Sequence, residues 1–109
     1  MVRYLLLLFS FLLSGSIAYA QTSLSGKVTE EANGEPILFG NVALYKNGNL
    51  ITGVETDFDG NYSISNIDPG TYDVEASYIG FQTQRIAGVK VFAGKVNKLD
   101  VALSAGGVT

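Results

Sequence analysis

The stretch TYDVEASYI, residues 71–79, decides the fold of this chain. Its apolar side chains, Tyr72, Val74, Ala76 and Tyr78, alternate with polar ones. This period of two is typical of a β-strand that has one buried face and one face in solvent. We therefore predict a half-buried strand over residues 71–79.

The same alternation recurs on both sides of this stretch, and no helical period competes with it. Turn residues separate the apolar segments at intervals of about 8–12 residues, which is typical of a β-sandwich. The sequence thus predicts an all-β, seven-stranded sandwich. Its other strands are expected at 24–28, 42–45, 50–56, 62–65, 82–92 and 98–103.

The predicted turns have residues suited to positive φ. Asn47-Gly48 fits a type I′ hairpin turn, and Asp59-Gly60 has the same chemistry. In Asp68-Pro69-Gly70, a type II turn would use the fixed φ of Pro69 and a positive φ at Gly70. Gly80 interrupts an apolar stretch and predicts a bulge or sharp bend.

The first 20 residues differ from the rest of the chain. Arg3 precedes an apolar run over 5–13, and Ala18-Tyr19-Ala20 supplies small residues at a cleavage site. This order is typical of a secretory signal peptide, and the run is too short for a membrane-spanning anchor. We predict a signal peptide over 1–20, a mature start at Gln21, a domain over 21–104 and a flexible tail over 105–109, with no transmembrane segment after cleavage.

The charged residues give little indication of a partner. Arg3 is the only basic residue in the first 20, so six basic side chains would face ten acidic ones after cleavage. The basic residues are scattered along the sequence, so nucleic acid and anionic lipid are poor candidate partners. The chain has no Cys, so its core must hold without disulfides.

The chain lacks two residue types that are common in catalytic sites. The chain contains neither His nor Cys, so it lacks the usual base of nucleophilic triads and the usual zinc ligands. We therefore predict no catalytic residue, no cofactor and no enzymatic activity.

Residues 57–61 allow two interpretations. Asp57, Asp59 and Asn61 have the spacing that begins an EF-hand loop, and Asp68 would stand at its last ligand position. However, the flanking segments are predicted strands. The favoured interpretation is a structural turn, in which short polar side chains cap backbone groups and Gly60 takes positive φ.

Aromatic residues near the predicted loops are the candidates for ligand binding. Phe58, Tyr78 and Phe81, together with Phe39, could form a platform on which a sugar stacks. In the alternative, Tyr78 joins the buried rings of the core. The irregular segments 50–56 and 82–92 are the places to expect open sheet edges that could accept a partner strand.

Several of these segments together resemble the carboxypeptidase regulatory-like domain, in the version that precedes TonB-dependent outer-membrane receptors of Bacteroidetes. The resemblance covers nearly the whole predicted mature chain. It rests on residues 26–29, 34–37, 40–42, 56–64, 69–72 and 77–81.

The resemblance implies a transthyretin-like sandwich in the periplasm or at the outer membrane. It also implies a non-catalytic accessory domain whose protein partner belongs to the TonB-dependent uptake machinery. The chain would be either a stand-alone member or the front piece of a truncated or split receptor. The alternatives are a secreted carbohydrate-binding module with a glycan ligand, and an inert remnant. The peptidase activity in the family's name is not expected here.

Overall fold

A computed structural model describes residues 21–106, and this part of the chain is all-β. It contains eight strands rather than the predicted seven. The predicted signal peptide and residues 107–109 lie outside the described residues. No helix in this part is long and apolar enough to cross a membrane. The strands are β1 Ser23–Glu30, β2 Asn41–Lys46, β3 Asn49–Glu55, β4 Asn61–Ile64, β5 Gly70–Ser77, β6 Gln84–Val91, β7 Val96–Lys98 and β8 Val101–Leu103.

The strands form two sheets that pack as a sandwich. One sheet is antiparallel throughout, in the order β3-β2-β5-β6. In the other sheet, β1 pairs with β4 on one side and runs parallel to β7 and then β8 on the other. Apolar side chains at alternate positions of both sheets meet in the core, as the period of two requires. The largest fully buried ones are Leu24, Leu44, Leu103, Val28, Val42 and Val74.

The eighth strand results from a break in the strand that runs beside Gly26 of β1. The segment predicted as one strand, 98–103, is divided here: β7 pairs with the first part of β1, and β8 pairs with its last part. Between them the chain passes so close to β1 that a Cβ atom on Gly26 would lie 1.8 Å from the carbonyl oxygen of Leu99. The alternation of apolar residues continues across this break, which is why the sequence pattern did not reveal it.

Two predicted turns have the expected backbone, and a third differs. Asn47 and Gly48 have φ values of 52° and 78°, as a type I′ turn requires. Gly80 has a φ of 89° and lies in the turn after β5. Gly70, which follows Pro69, has a φ of 158° and already begins β5, so it does not take the roughly +80° of a type II turn.

The end of the described chain is hydrogen-bonded where the sequence predicted a flexible tail. Ala105 forms an isolated bridge with Phe81, and the Gly106 N–H donates to the Gly80 carbonyl at 2.8 Å. These contacts hold residues 105 and 106 against the turn after β5.

Candidate functional site

The start of β2 and the ends of β3 and β5 lie side by side in the antiparallel sheet. Asn41, the first residue of β2, pairs with Glu55 at the end of β3 and with Ser77 at the end of β5. The loops that join these strands to the rest of the chain therefore leave from one end of the sandwich. We call this the aromatic end; its loops comprise residues 31–40, 56–60 and 78–83.

The first aromatic pair of this end belongs to two different loops. The Phe39 and Phe58 rings meet edge to face, with centroids 5.0 Å apart. The Phe58 side chain is 73% exposed and that of Phe39 is 47% exposed. Phe39 also has a φ of 57°, a left-handed conformation that is uncommon for a bulky residue. The pair thus presents apolar surface to solvent from a constrained loop.

The second pair lies in the loop after β5. Tyr78 and Phe81 have ring centroids 6.1 Å apart, and Phe81 packs partly against the core. Tyr78 is 39% exposed and Ile79 is 93% exposed. Tyr78 is therefore a surface ring, not a core ring, and the structure brings all four candidate aromatic residues to one end.

Thr56 anchors the loop that carries Phe39. Its buried hydroxyl accepts a hydrogen bond from the Gly40 N–H at 2.8 Å and donates one to the Ile37 carbonyl at 2.6 Å. The Phe39 N–H also donates to the Thr56 carbonyl at 3.1 Å. Sequence reasoning missed this residue, because a threonine at the end of a strand is not distinctive by itself.

The turn beneath Phe58 is closed by Asp57. One carboxylate oxygen, Oδ1, accepts the N–H groups of Asp59 and Asn61, each at 2.9 Å. Gly60 has a φ of 77° and contributes its N–H to the Asp57 carbonyl. Asn61 takes part through its backbone groups. Residues 57–61 thus form a turn closed by hydrogen bonds to the backbone and side chain of Asp57.

The four residues proposed for calcium do not surround a common point. Asp57, Asp59 and Asn61 precede or begin β4, whereas Asp68 follows its end. A strand of this length separates the two groups by about 10 Å. Among residues 21–106, no three His, Cys, Asp or Glu side chains are grouped so that they could hold a metal ion.

Two buried tyrosines support the sandwich and are not part of the aromatic end. The Tyr62 hydroxyl donates to the Leu99 carbonyl at 2.6 Å, and the Tyr72 hydroxyl donates to the Asp68 carbonyl at 2.6 Å. Burial raises the pKa of Tyr62 well above its ordinary value, and the Asp100 carboxylate adds to this effect. Burial, with a contribution from Asp68, also raises the pKa of Tyr72. Both phenols are therefore neutral hydrogen-bond donors at ordinary pH.

The opposite end of the sandwich carries a groove that the sequence did not predict. Lys90, Lys95 and Lys98 line it, and the ammonium group of Lys95 lies 5.2 Å from the centre of the Phe92 ring. These lysines looked scattered along the sequence, but the turn between β6 and β7 brings them together. We call this feature the basic groove. Its lining is completed by Leu24, Val89, Phe92, Val96 and Asn97.

Comparison with known proteins identifies a family. The model of the carboxypeptidase regulatory-like domain matches residues 23–104, which is most of the chain. No curated protein matches the chain.

Solved structures share the fold at low sequence identity. A candidate carbohydrate-binding protein from Bacteroides uniformis superposes with a TM-score of 0.64 at 19% identity, over 77% of this chain and 41% of that one. An interface mutant of a type II cohesin–X-dockerin complex from Acetivibrio cellulolyticus gives 0.61 at 24%, over 78% and 58%. The 5-hydroxyisourate hydrolase of Klebsiella pneumoniae gives 0.58 at 20%, over 79% and 93%. The chain thus spans only about half the length of the first two.

Proposed function

This chain belongs to the carboxypeptidase regulatory-like domain family, and from that premise we propose that it is a non-catalytic module which binds a partner protein through its aromatic end. The observation that carries the proposal is the exposure of Phe39, Phe58, Tyr78 and Ile79 on adjoining loops. Several large apolar side chains exposed at one end of a small domain are typical of an interaction surface.

The rigidity of the loops supports this interpretation. Thr56 fixes the loop of Phe39, and Asp57 closes the turn beneath Phe58. Rings that are already held in place lose little conformational freedom when a partner covers them. Aromatic side chains of this kind are common among the residues that dominate binding energy.

The chemistry of the chain supports a role without catalysis. It has no His or Cys, so the usual base that activates a serine and the cysteine thiol nucleophile are both missing. The solved structures that share the fold include both an enzyme and a cohesin complex. The cohesin complex is a protein-interaction assembly, which agrees with the proposed type of function. Hydrolase activity that copurifies with the protein and is lost in a site variant would contradict this part of the proposal.

We place the module in the periplasm or at the outer membrane, where it would accompany TonB-dependent nutrient uptake. This placement rests on the export signal predicted over residues 1–20 and on the resemblance of the sequence to receptor extensions. It predicts that the partner is an uptake receptor or a component of its energy-coupling machinery.

Site-specific photocrosslinking in the native cells tests the proposal. A photoreactive phenylalanine at position 58 should crosslink to an outer-membrane uptake protein, identified by mass spectrometry. The same residue at position 63, which is exposed in the middle of β4, is the matched control. Equal crosslinking from both positions, or none from position 58, would overturn the proposed surface.

A glycan is the second candidate ligand, because exposed rings can stack on sugars as well as on protein side chains. The pairs formed by Phe39 with Phe58 and by Tyr78 with Phe81 would provide the platform. A glycan array probed with the purified protein tests this candidate. Binding that disappears in Phe58→Ala or Phe81→Ala would favour the glycan, and the absence of binding to every glycan would exclude it.

A further inference from the structure

The two ends of the sandwich carry opposite charge. The acidic residues of the aromatic end lie in or beside its loops, and no Lys or Arg occurs in segments 29–40, 55–61, 77–83 or 102–106. The basic residue that borders these segments is Lys27, which pairs with Asn61. Hydrogen bonds and strand pairing hold these segments together at that end. The acidic residues there are Glu30, Glu31, Glu35, Glu55, Asp57 and Asp59.

The other end is basic. β1 begins beside β7, and the end of β6 pairs with the beginning of β5, so the basic groove lies at the end where β1 and β5 start. Lys46, at the end of β2, is close to Tyr72 on the same side of the molecule. With the three lysines of the basic groove, this places four lysines toward that end. The acids beside Lys46 are Asp68, which lines the same pocket, and Asp73, which pairs with Tyr45.

The two ends also match in their apolar surface. The aromatic end projects Phe58, the most exposed of its rings, beside Asp59. The basic groove has Phe92 and Val96 among its lining, each more than half exposed, with lysines around them. An aromatic side chain flanked by carboxylates fits an apolar groove rimmed by ammonium groups, both by burial and by charge.

We propose that the occupant of the basic groove is a second copy of this chain, which inserts its acidic aromatic end in a head-to-tail contact. Contacts between like ends are disfavoured, because they would bring charges of the same sign together. A contact between unlike ends leaves one free end of each kind, so it can repeat and form short chains.

Other occupants agree less well with these observations. An anionic membrane would be opposed by the ten acidic residues of the chain, against seven basic ones. The groove has only three lysines, fewer than the roughly four to eight of a typical anionic-lipid site. A neutral glycan would make no use of the lysines. An acidic peptide from another protein would have the same chemistry as the aromatic end, and the experiment separates the two.

Sedimentation velocity over a concentration series tests the proposal. The protein is expressed from its complete sequence, so that any processing of residues 1–20 takes place as it does in the cell. We expect the sedimentation coefficient to rise with concentration at about 0.02 M salt. The rise should fade at about 0.5 M salt, because screening shortens the range of the attraction to less than about 5 Å.

Charge reversal identifies the surfaces. Lys95→Glu and Asp59→Lys should each weaken association about tenfold, which corresponds to about 1.4 kcal/mol. Lys27→Glu changes the net charge as much as Lys95→Glu, but Lys27 lies on β1 outside the groove, opposite Asn61. This substitution makes the aromatic end more acidic, so it should not weaken association. A mixture of the Lys95→Glu and Asp59→Lys variants should associate again, because each now carries the complement of the other. Thermal unfolding of each variant checks that it is folded.

Three outcomes would overturn the proposal. They are the absence of association at about 1 mM protein in low salt, equal weakening by Lys27→Glu and Lys95→Glu, and failure of the variant mixture to associate. If a polyglutamate peptide binds the groove while the protein itself stays monomeric, the occupant is an acidic segment of another protein. The proposed function is tested separately by the crosslink from position 58, so it can stand even if self-association fails.

Discussion

A single hydroxyl holds the loop that presents Phe39. Thr56→Val keeps the shape of the side chain but leaves the Gly40 N–H and the Ile37 carbonyl without their buried partner. We expect a loss of about 2 kcal/mol in the free energy of unfolding, because buried polar groups that lose a hydrogen bond bear the cost of desolvation. Urea unfolding measures it. Thr71→Val, on the exposed face of β5, is the control and should change stability by less than about 0.5 kcal/mol.

Tyr62 makes the free energy of unfolding decrease as the pH rises in the alkaline range. Its pKa is raised by burial and by Asp100, whereas in the unfolded chain it ionises near its ordinary value of about 10. The contribution of Tyr62 is therefore constant below about pH 10. Above that pH, the unfolded state loses a proton that the folded state keeps, and stability falls by about 1.4 kcal/mol per pH unit for each such tyrosine.

Tyr62→Phe tests this dependence. The variant loses the hydrogen bond to the Leu99 carbonyl, worth about 1 kcal/mol at neutral pH. It should also lose stability less steeply above about pH 10, because the Tyr62 phenol no longer contributes, and Tyr72, whose pKa is raised as well, accounts for the slope that remains. Urea titrations between about pH 7 and 11 compare the two slopes. Identical slopes in the two proteins would show that Tyr62 ionises as easily in the folded protein as in the unfolded chain.

The turn at Asp57 should be indifferent to calcium. Its Oδ1 already accepts two backbone N–H groups, and β4 separates Asp68 from the other proposed ligands. We expect the melting temperature to be the same with calcium and with a chelator. A calcium-dependent increase that disappears in Asp59→Ala would instead establish the metal site.

Among the elements, β1 depends most on one glycine. Gly26→Ala would place a methyl group against the Leu99 carbonyl, in the gap between β7 and β8. Backbone on both sides must then move, and we expect a loss of about 3 kcal/mol. Gly53→Ala on β3 is the matched control, since its Cβ would meet only an ordinary contact at 3.7 Å. Equal losses of stability in the two variants would contradict the close crossing.

The sequence predicted the elements better than their connections. Alternation located β1, β2, β4, β5 and β8, because each has one buried face. The irregular segments 50–56 and 82–92, where we expected open edges, correspond to β3 and β6, which are the edges of their sheet. The division at Leu99 stayed hidden, because β7 and β8 both pair with β1 and the interruption between them leaves the apolar period intact. In the same way, Lys90 and Lys95 are close only because the turn between β6 and β7 brings them together.

At the scale of the whole molecule, the separation of charge matters more than its sum. The net charge is −3, which alone would keep the protein off a cation exchanger at pH 7. The lysines of the basic groove, however, all lie at one end of the molecule. At about 0.1 M salt the Debye length is about 10 Å, so the charged resin interacts mainly with the end of the protein that is nearest to it. We therefore expect weak retention on cation as well as anion exchangers.

Chromatography of charge variants would assign this retention to the groove. Neutralising Lys95 and Lys98 with glutamine should abolish binding to the cation exchanger, whereas Lys27→Gln combined with Arg85→Gln removes the same charge and should leave most of it. If the two pairs of substitutions reduce retention on the cation exchanger equally, retention depends only on the net charge of the protein. The segregation of charge would then have no measurable effect outside the protein, and the attraction that the head-to-tail contact requires would be absent as well.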